Sequence, residues 1–228
     1  FYWNSGQAQS IFVAGKDYIA GPTGDITVGP YTNSHATNGL GFLLGFVDKE
    51  LPVPAFGTSD IYVVDTFNRT VASGWGNPDV GPAYGIQISD LSGISVLQGV
   101  GLITRATAQE GIVFSSAIPA TDNLAMFMTL SHDKVPDTGS VSTRMMIRTM
   151  GTTAYHLRTW LRPTGIIEAQ FAEGDARTIG PVFSLIGFTP NREFNLRVEA
   201  VGVNPTTLRA KVWWASEPEP TDWSLMSV

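Results

Sequence analysis

The chain contains no cysteine, and this absence removes several kinds of chemistry at once. Without thiols there is no cysteine nucleophile, no zinc–thiolate site and no disulfide framework. A chain of 228 residues can bury a hydrophobic core of its own, so it does not need such cross-links. Cysteine-free chains are common among secreted bacterial and viral proteins, and the absence therefore leaves the compartment open.

Charge is also scarce, and its balance is acidic. Charged residues make up 15% of the chain and the net charge is −6, whereas an average soluble domain carries about 25% charged residues. A nucleic-acid-binding surface needs clustered basic residues, so we expect no nucleic-acid partner. No apolar run approaches the roughly 20 residues of a membrane-spanning helix, so we expect no membrane insertion either. The chain opens on Phe1 without a signal-like segment, and we interpret it as a piece of a longer polypeptide.

Glycine and proline are abundant instead. The 24 glycines and 14 prolines make up about a sixth of the 228 residues, and both residue types disfavour long helices. A helical period of 3.6 residues is not evident in any segment. This composition predicts many short strands that are joined by tight turns.

Residues 1–57 differ from the rest of the chain. They are rich in glycine and carry scattered aromatic residues, with short strand-like runs at SIFVAG, DITVG and LGFLLGFV. Pro52 and Pro54 favour an extended linker at the end of this segment. Because the segment has too few apolar residues for a core of its own, we expect an extended β-rich arm that packs on residues 58–228 or on another subunit. Such an arm favours a homotrimer or a larger assembly.

Residues 58–228 alternate regularly between apolar and polar positions. In EFNLRVEAVG and in LRAKVWW the apolar residues share one face of each strand: Phe194, Leu196, Val198 and Ala200, and then Leu208, Ala210, Val212 and Trp214. In SVSTRMMIRTM, alternation places Arg144 and Arg148 together on the polar face. The turn sequence RPTG, residues 162–165, predicts a hairpin. These patterns predict an all-β fold in which two antiparallel sheets pack as a sandwich.

The three histidines do not form a recognisable catalytic or metal-binding motif. His35, His132 and His156 are not at metal-ligand spacing from one another. His132 lies in SHDKVPDTGS, which we interpret as a polar loop. The chain also has no GxSxG nucleophile motif and no phosphate-binding loop.

A glycoside hydrolase needs two carboxylates that face each other across a cleft, about 5–10 Å apart. Glu168, Glu173 and Asp175 are the nearest candidates for such a pair. Glu173 and Asp175 flank Gly174, however, which is typical of a hairpin turn with solvated charges. We therefore expect no catalytic residues and a protein that is not an enzyme, with a glycoside hydrolase or lyase as a remaining alternative.

Calcium is the cofactor that a β-sandwich of this kind could hold through loop oxygens. The segments NPDVG (77–81) and DKVPD (133–137) could contribute carboxylates and carbonyls. Neither segment is densely acidic. We therefore expect no cofactor and no metal, and bound calcium remains an alternative.

Two tryptophans are candidate contacts for a sugar, because an indole can pack on the apolar side of a sugar ring. Trp160 and Trp213 both fall on the polar faces of their strands. The side chains that flank them are basic: Arg158, Arg162, Arg209 and Lys211. If the two strands are neighbours, Trp160, Trp213, Arg158 and Arg209 form one glycan-binding patch. The alternative is that both rings pack against residues 1–57 or a partner chain. We interpret three other tryptophans, Trp75, Trp214 and Trp223, as core or seam residues.

The segment DTFNRTVASGWGNPDVG, residues 65–81, combines an acid, an arginine and a tryptophan. No base, nucleophile or metal ligand elsewhere completes a reactive cluster with them. The structural interpretation places Phe67 in the core and pairs Asp65 with Arg69, four residues further along. It also predicts that residues 74–76, Gly-Trp-Gly, make a turn held by one buried ring.

This segment resembles the first-strand signature Asp-x-Phe-x-Arg-Thr-Val-x-x-Gly-Trp-Gly of concanavalin A-like, laminin-G-type jelly-roll domains. Such domains occur in actinobacterial surface proteins and in tail proteins of their phages. The end of the chain, TTLRAKVWWASEPEPTDWSL, resembles the last strand and the EP-x-x-W tail of the same family. The matching positions are Asp65, Phe67, Arg69, Thr70, Gly74, Trp75 and Gly76, and then Leu208, Arg209, Lys211, Trp213, Glu219, Pro220 and Trp223. Tyr84 stands where the family pattern has a tryptophan.

The resemblance covers residues 60–228 and implies a jelly roll over residues 58–228. It implies a structural or adhesion module of a phage tail, located in the virion, whose partners are copies of itself, other tail proteins and host-surface glycans. It carries no catalytic residues, because the shared positions are structural ones. The alternative function is a secreted bacterial carbohydrate-binding or adhesion domain that is appended to a larger protein.

Overall fold

The computed structural model of the chain describes residues 8–11, 40–44, 62–86, 93–97, 99–105, 111–115, 122–150, 153–174 and 177–228. These residues form fourteen strands and no helix. The all-β class that the composition predicts is therefore confirmed for the described part of the chain.

The strands form two sheets of seven strands each. The first sheet contains, in spatial order, β11 (Arg177–Leu185), β10 (Ile167–Glu173), β9 (Thr153–Leu161), β8 (Val141–Met150), β1 (Ala8–Ile11), β6 (Gly111–Ser115) and β3 (Tyr84–Ile86). The second sheet contains β14 (Leu225–Ser227), β13 (Thr207–Trp214), β12 (Phe194–Val201), β7 (Asn123–His132), β2 (Leu40–Leu44), β5 (Val100–Arg105) and β4 (Ile94–Leu97). Neighbouring strands are antiparallel, except that β1 runs parallel to both β6 and β8.

The inner faces of the two sheets share one hydrophobic core. From β12, the side chains of Phe194, Leu196 and Val198 are fully buried, and each is directly paired with a buried residue of β13. From the first sheet, Leu157 and Phe171 enter the same core. The apolar faces that alternation predicts for β12 and β13 are thus confirmed, and the arrangement is consistent with a β-sandwich.

Two strands from residues 1–57 lie inside these sheets. β1 lies between β8 and β6, and β2 lies between β7 and β5. The strand predicted in LGFLLGFV is confirmed over Leu40–Leu44, whereas the predicted strand DITVG lies outside the described residues. The division into an arm of residues 1–57 and a domain of residues 58–228 stays a prediction.

A β-bulge in β8 changes which face of the sheet the side chains after it occupy. The pairing of β8 with β9 shifts register between Met146 and Arg148, so that Arg148 lies opposite Tyr155, a residue that packs against the core. Arg148 then donates hydrogen bonds to the carbonyl oxygen of Gly202, at 2.7 Å, and to Thr206 Oγ1, at 2.8 Å, in the second sheet's β12–β13 hairpin. The prediction that Arg144 and Arg148 share a face is therefore wrong, because the bulge inserts one residue between them.

The predicted hairpin at residues 162–165 is confirmed between β9 and β10. The amide of Gly165 donates to the carbonyl oxygen of Arg162, and Gly165 has a φ of 72°, which favours glycine. The hairpin fixes the register of the two strands, so that Trp160 lies directly opposite Glu168.

His132 is a buried core residue, not part of a polar loop as predicted. It is the last residue of β7, and its ring lies about equally far from Phe188, at 6.1 Å between centroids, and Phe194, at 6.0 Å. Burial lowers the pKa of His132 to about 3, because the charged imidazolium would lose its hydration there.

We expect this burial to make the protein acid-sensitive. The folded-state pKa of His132, about 3, lies below the ordinary value of 6.5, so between these two pH values the unfolded chain binds a proton that the folded chain does not. The contribution of neutral His132 to stability is therefore fully present above pH 6.5 and is lost as the pH falls toward 3. His132→Gln should remove this contribution. Below pH 6.5 the free energy of unfolding of the wild type should fall more steeply than that of the variant, by about 1.4 kcal/mol per pH unit. Urea titrations at several pH values measure both slopes, and equal slopes would contradict the prediction.

Candidate functional site: the outer face of strands β9 to β11

The carboxylate of Asp65 is the centre of a buried hydrogen-bond cluster. Arg69 donates to both of its oxygens, from Nη1 to Oδ1 and from Nη2 to Oδ2, each at 2.7 Å. The hydroxyl of Tyr84 and the amide of Phe67 also donate to it, each at 2.7 Å. Arg69 in turn donates to the carbonyl oxygen of Trp75, from Nε at 2.9 Å and from Nη2 at 2.6 Å.

Three aromatic rings complete the cluster. Trp75 is fully buried and makes edge-to-face contacts with Phe67, at 5.2 Å, and with Tyr84, at 5.7 Å. Burial raises the pKa of Tyr84, and the neighbouring Asp65 charge raises it further, so the phenol stays protonated and donates to the carboxylate. The hydrogen bond to Asp65 raises the pKa of Arg69 despite its partial burial. Every polar group of the cluster is thus engaged in holding the chain together.

Three parts of the structural interpretation of residues 65–81 are confirmed. Phe67 enters the core, Asp65 pairs with Arg69, and Trp75 is the buried ring between two glycines. Gly74 and Gly76 have φ angles of 76° and 70°, the left-handed region in which glycine is unstrained. Asp65, Arg69 and Tyr84 are therefore engaged with one another and with the backbone of this segment.

Trp213 and Arg209 lie on the outer face of the second sheet, on β13. Trp213 is only 5% exposed, because its ring packs against that of Phe127, with centroids 5.9 Å apart. Arg209 pairs with the buried Glu199, at 2.7 Å from Nη2 to Oε2. Neither side chain presents a flat open surface to a ligand.

The segment of residues 215–224 crosses this outer face between β13 and β14. Its Glu219 accepts hydrogen bonds from Arg197, at 3.2 Å, and from Lys211, at 2.9 Å. The guanidinium of Arg209 lies 4.4 Å from the ring centroid of Trp223, and the ammonium of Lys211 lies 5.0 Å from it. The end of the chain that resembles the EP-x-x-W tail therefore covers the basic side chains of β12 and β13.

Trp160 lies on the outer face of the first sheet, on β9. Its neighbours along the strand on this face are Arg158 and Arg162, whose guanidinium carbons lie 4.7 and 5.5 Å from the centroid of the indole. Across the sheet, Trp160 is paired with Ser142 on β8 and with Glu168 on β10. Trp160 is half-buried, in contrast to the nearly inaccessible Trp213.

Polar contacts hold the side chains around Trp160 in place. Arg162 donates to Glu168 Oε2 from Nε, at 2.7 Å, and its Nη2 lies 2.5 Å from the same oxygen. Arg158 donates from Nε to Ser142 Oγ, at 2.9 Å. Because these contacts join three adjacent strands, the positions of both guanidinium groups are set by the sheet.

The neighbouring edge strand adds exposed apolar side chains. On β11, Ser184 is paired with Glu168, and Val182 lies two residues before Ser184 along the strand. Val182 is 52% exposed, and Ile186, which follows β11, is 72% exposed. Both rank among the exposed large hydrophobic residues of the described chain. We call this surface the β9–β11 face; it contains Arg158, Trp160, Arg162, Glu168, Gln170, Val182 and Ser184.

The structure thus separates the four predicted glycan contacts. Trp160 and Arg158 lie together on the first sheet, whereas Trp213 and Arg209 lie together on the second sheet. One patch made of all four residues is not formed, because β9 and β13 are not neighbours. Whether either pair contacts a glycan stays a prediction.

The other candidate groups are dispersed. His156 lies on β9 and is buried, while Glu173 forms an ion pair with the exposed Arg177 at the β10–β11 turn. His35 and Asp175 lie outside the described residues. In the described ranges, no group of three or more His, Asp or Glu side chains is arranged to hold a metal ion. Calcium at residues 77–81 or 133–137 stays an alternative.

Glu168 and Ser184 are members of the β9–β11 face that pattern analysis did not assign to binding. The hairpin at residues 162–165 predicts that Glu168 lies opposite Trp160, so the sequence did contain a signal for Glu168. Ser184 carries no such signal, since the pairing of β10 with β11 includes a bulge between Ala169 and Phe171.

Comparison with known proteins gave no match. No protein-family model matches the chain, and neither a curated protein nor a solved structure matches it significantly. In the part of the chain that the structure describes, no helix is long and apolar enough to cross a membrane.

Proposed function

We propose that this chain is a non-enzymatic structural and adhesion module of a phage tail, built on a concanavalin A-like jelly roll. It assembles into the virion as a homotrimer or larger assembly with other tail proteins. It contacts host-surface glycans through the β9–β11 face, where Trp160 and Arg158 are the principal contacts.

The sequence resemblance supports the tail assignment, and the all-β sandwich is compatible with it. The positions that carry the resemblance have structural roles: Asp65, Arg69 and Trp75 form a buried cluster, and Glu219 and Trp223 hold the terminal segment on the second sheet. Residues of this kind define a scaffold, and a scaffold that carries an accessible polar and aromatic face is suited to attachment.

One observation carries the glycan contact. Trp160 is a half-buried indole on the outer face of the first sheet, with two guanidinium groups over its ring and with carboxylate, amide and hydroxyl side chains on the same face. Sugars are bound by this combination of an aromatic group and fixed hydrogen-bonding partners. The same face would serve a secreted bacterial carbohydrate-binding or adhesion domain. The genes that neighbour the full-length gene separate the two proposals, since tail genes beside it favour the phage protein.

Replacing Trp160 with alanine is expected to weaken binding to host cell walls by about tenfold or more, because the change removes the aromatic anchor and the support for both arginines. A pull-down with isolated cell walls and a glycan array measure the effect. Trp223→Ala is the matched control, because its ring also lies against two cations but on the other sheet. Trp213→Ala tests the second predicted pair. Unchanged binding in both Trp160→Ala and Trp213→Ala would contradict the glycan contacts.

A further inference from the structure

We propose that the β9–β11 face binds a neutral glycan, and that the Arg162–Glu168 pair grips two neighbouring hydroxyl groups of one sugar. This inference rests on the proposed function, in which the face binds glycans, and it names the ligand class and two further contact residues. The sugar lies against the edge of the indole and the polar pair, not stacked on the face of the ring.

The environment of Trp160 restricts how a sugar can approach it. The guanidinium carbons of Arg158 and Arg162 both lie over the indole, 4.7 and 5.5 Å from the ring centroid. These are the distances at which a stacked sugar would lie. A stacked sugar would have to displace an arginine that already gains a cation–π contact there. The ring therefore orients the two arginines and offers its edge to the ligand.

The Arg162–Glu168 pair leaves hydrogen-bonding capacity open. Both close contacts from Arg162 go to the same carboxylate oxygen, Oε2. Among the described residues, Glu168 Oε1 accepts no hydrogen bond and Arg162 Nη1 donates none. Both side chains are about one third exposed, at 37% for Arg162 and 30% for Glu168. A fixed donor and a fixed acceptor thus lie side by side at the surface, which suits two adjacent hydroxyls that each donate and accept.

At the Arg162–Glu168 pair itself, charge favours neutral over anionic sugar groups, while the guanidinium of Arg158 lies over the indole ring. Glu168 offsets the charge of Arg162, and its open oxygen would lie against any carboxylate or phosphate that approached Arg162. A negatively charged ligand group beside Glu168 would be repelled, whereas a sugar hydroxyl can donate to Glu168 and accept from Arg162. Ser184, opposite Glu168, adds a further hydroxyl, and the exposed Val182 offers apolar surface to the C–H groups of a sugar.

The test uses the full chain and an array of neutral hexose and N-acetylhexosamine oligosaccharides with matched uronic-acid oligosaccharides. We expect binding to neutral members, little change between low and high salt, and at least about tenfold weaker binding in Glu168→Gln and in Arg162→Lys. In Glu168→Gln an NH2 donor replaces one of the two carboxylate acceptors. In Arg162→Lys the planar guanidinium with its paired N–H donors is lost. Glu173→Gln is the matched control, because Glu173 also lies on β10 and forms another Arg–Glu pair, with Arg177.

The outcomes separate the two levels of the proposal. Binding to no glycan on the array overturns the glycan contact itself, and this inference with it. Preferential binding of uronic-acid members, or unchanged affinity in Glu168→Gln with intact folding, overturns this inference alone. Thermal unfolding of each variant establishes whether it is folded, and the retained binding of Glu173→Gln shows that a Glu→Gln change on β10 is tolerated.

Discussion

Asp65→Asn is expected to lower the free energy of unfolding by about 3 kcal/mol, the cost of removing one partner from a buried ion pair. The carboxylate of Asp65 is fully buried and accepts hydrogen bonds from Arg69, Tyr84 and the backbone of Phe67. An asparagine has the same shape, but its amide group would direct its own hydrogens toward these donors. Arg69 would also lose its neutralising charge while it remains about four-fifths buried.

Asp79→Asn is the matched control for this change. Asp79 belongs to the same segment and accepts a hydrogen bond from the amide of Thr66, but it is 40% exposed and lies 4.0 Å from Arg69. Its substitution should cost less than about 1 kcal/mol, as is usual for an exposed ion pair. Chemical denaturation of both variants gives the two free energies. Equal losses would show that the burial of Asp65 is not what makes the cluster important.

Glu199→Gln is expected to have an effect of similar size, about 3 kcal/mol, on the second sheet. Glu199 is fully buried and bridges two arginines, with Oε1 2.9 Å from Arg197 Nε and Oε2 2.8 Å from Arg209 Nε. A glutamine retains one acceptor and places an amide group against the other guanidinium. Arg197 would then retain its ion pair with Glu219, whereas Arg209 would keep no ion pair among the described residues.

The control for Glu199→Gln is Glu217→Gln. Glu217 is 56% exposed and lies 3.7 Å from Arg192, so its charge is largely screened by water. We expect a change of less than about 0.5 kcal/mol in the free energy of unfolding there. A loss of that small size in Glu199→Gln as well would mean that the buried network contributes little to stability. Measuring Arg209→Met together with Glu199→Leu would then show whether an apolar replacement is equally stable.

Parts of the architecture were predictable from local patterns. Strict alternation identified the core faces of β12 and β13, and the turn sequence at residues 162–165 identified the hairpin between β9 and β10. The pairing of Asp65 with Arg69 and the burial of Trp75 also followed from spacing and from the flanking glycines. In each case the deciding interactions lie within a few residues along the chain, where sequence spacing determines geometry.

Other features depended on which elements pack together. Alternation placed Trp160 and Trp213 on polar strand faces, but only the sheet order showed that they belong to different sheets. Trp213 is covered because Phe127, from β7, packs against it. Arg148 faces the second sheet because a bulge interrupts β8. His132 is buried among the rings of Phe188 and Phe194, which belong to later segments of the chain.

The sequence by itself determined the all-β class, the alternating faces and the local cluster at residues 65–81, since these follow from periods of two residues and from turn chemistry. The tertiary structure alone decided which polar face stays accessible. The outer face of β12 and β13 is covered by residues 215–224, whereas the β9–β11 face keeps Trp160 and the Arg162–Glu168 pair accessible. Coverage is a property of contacts between segments distant in sequence, and no local pattern encodes it.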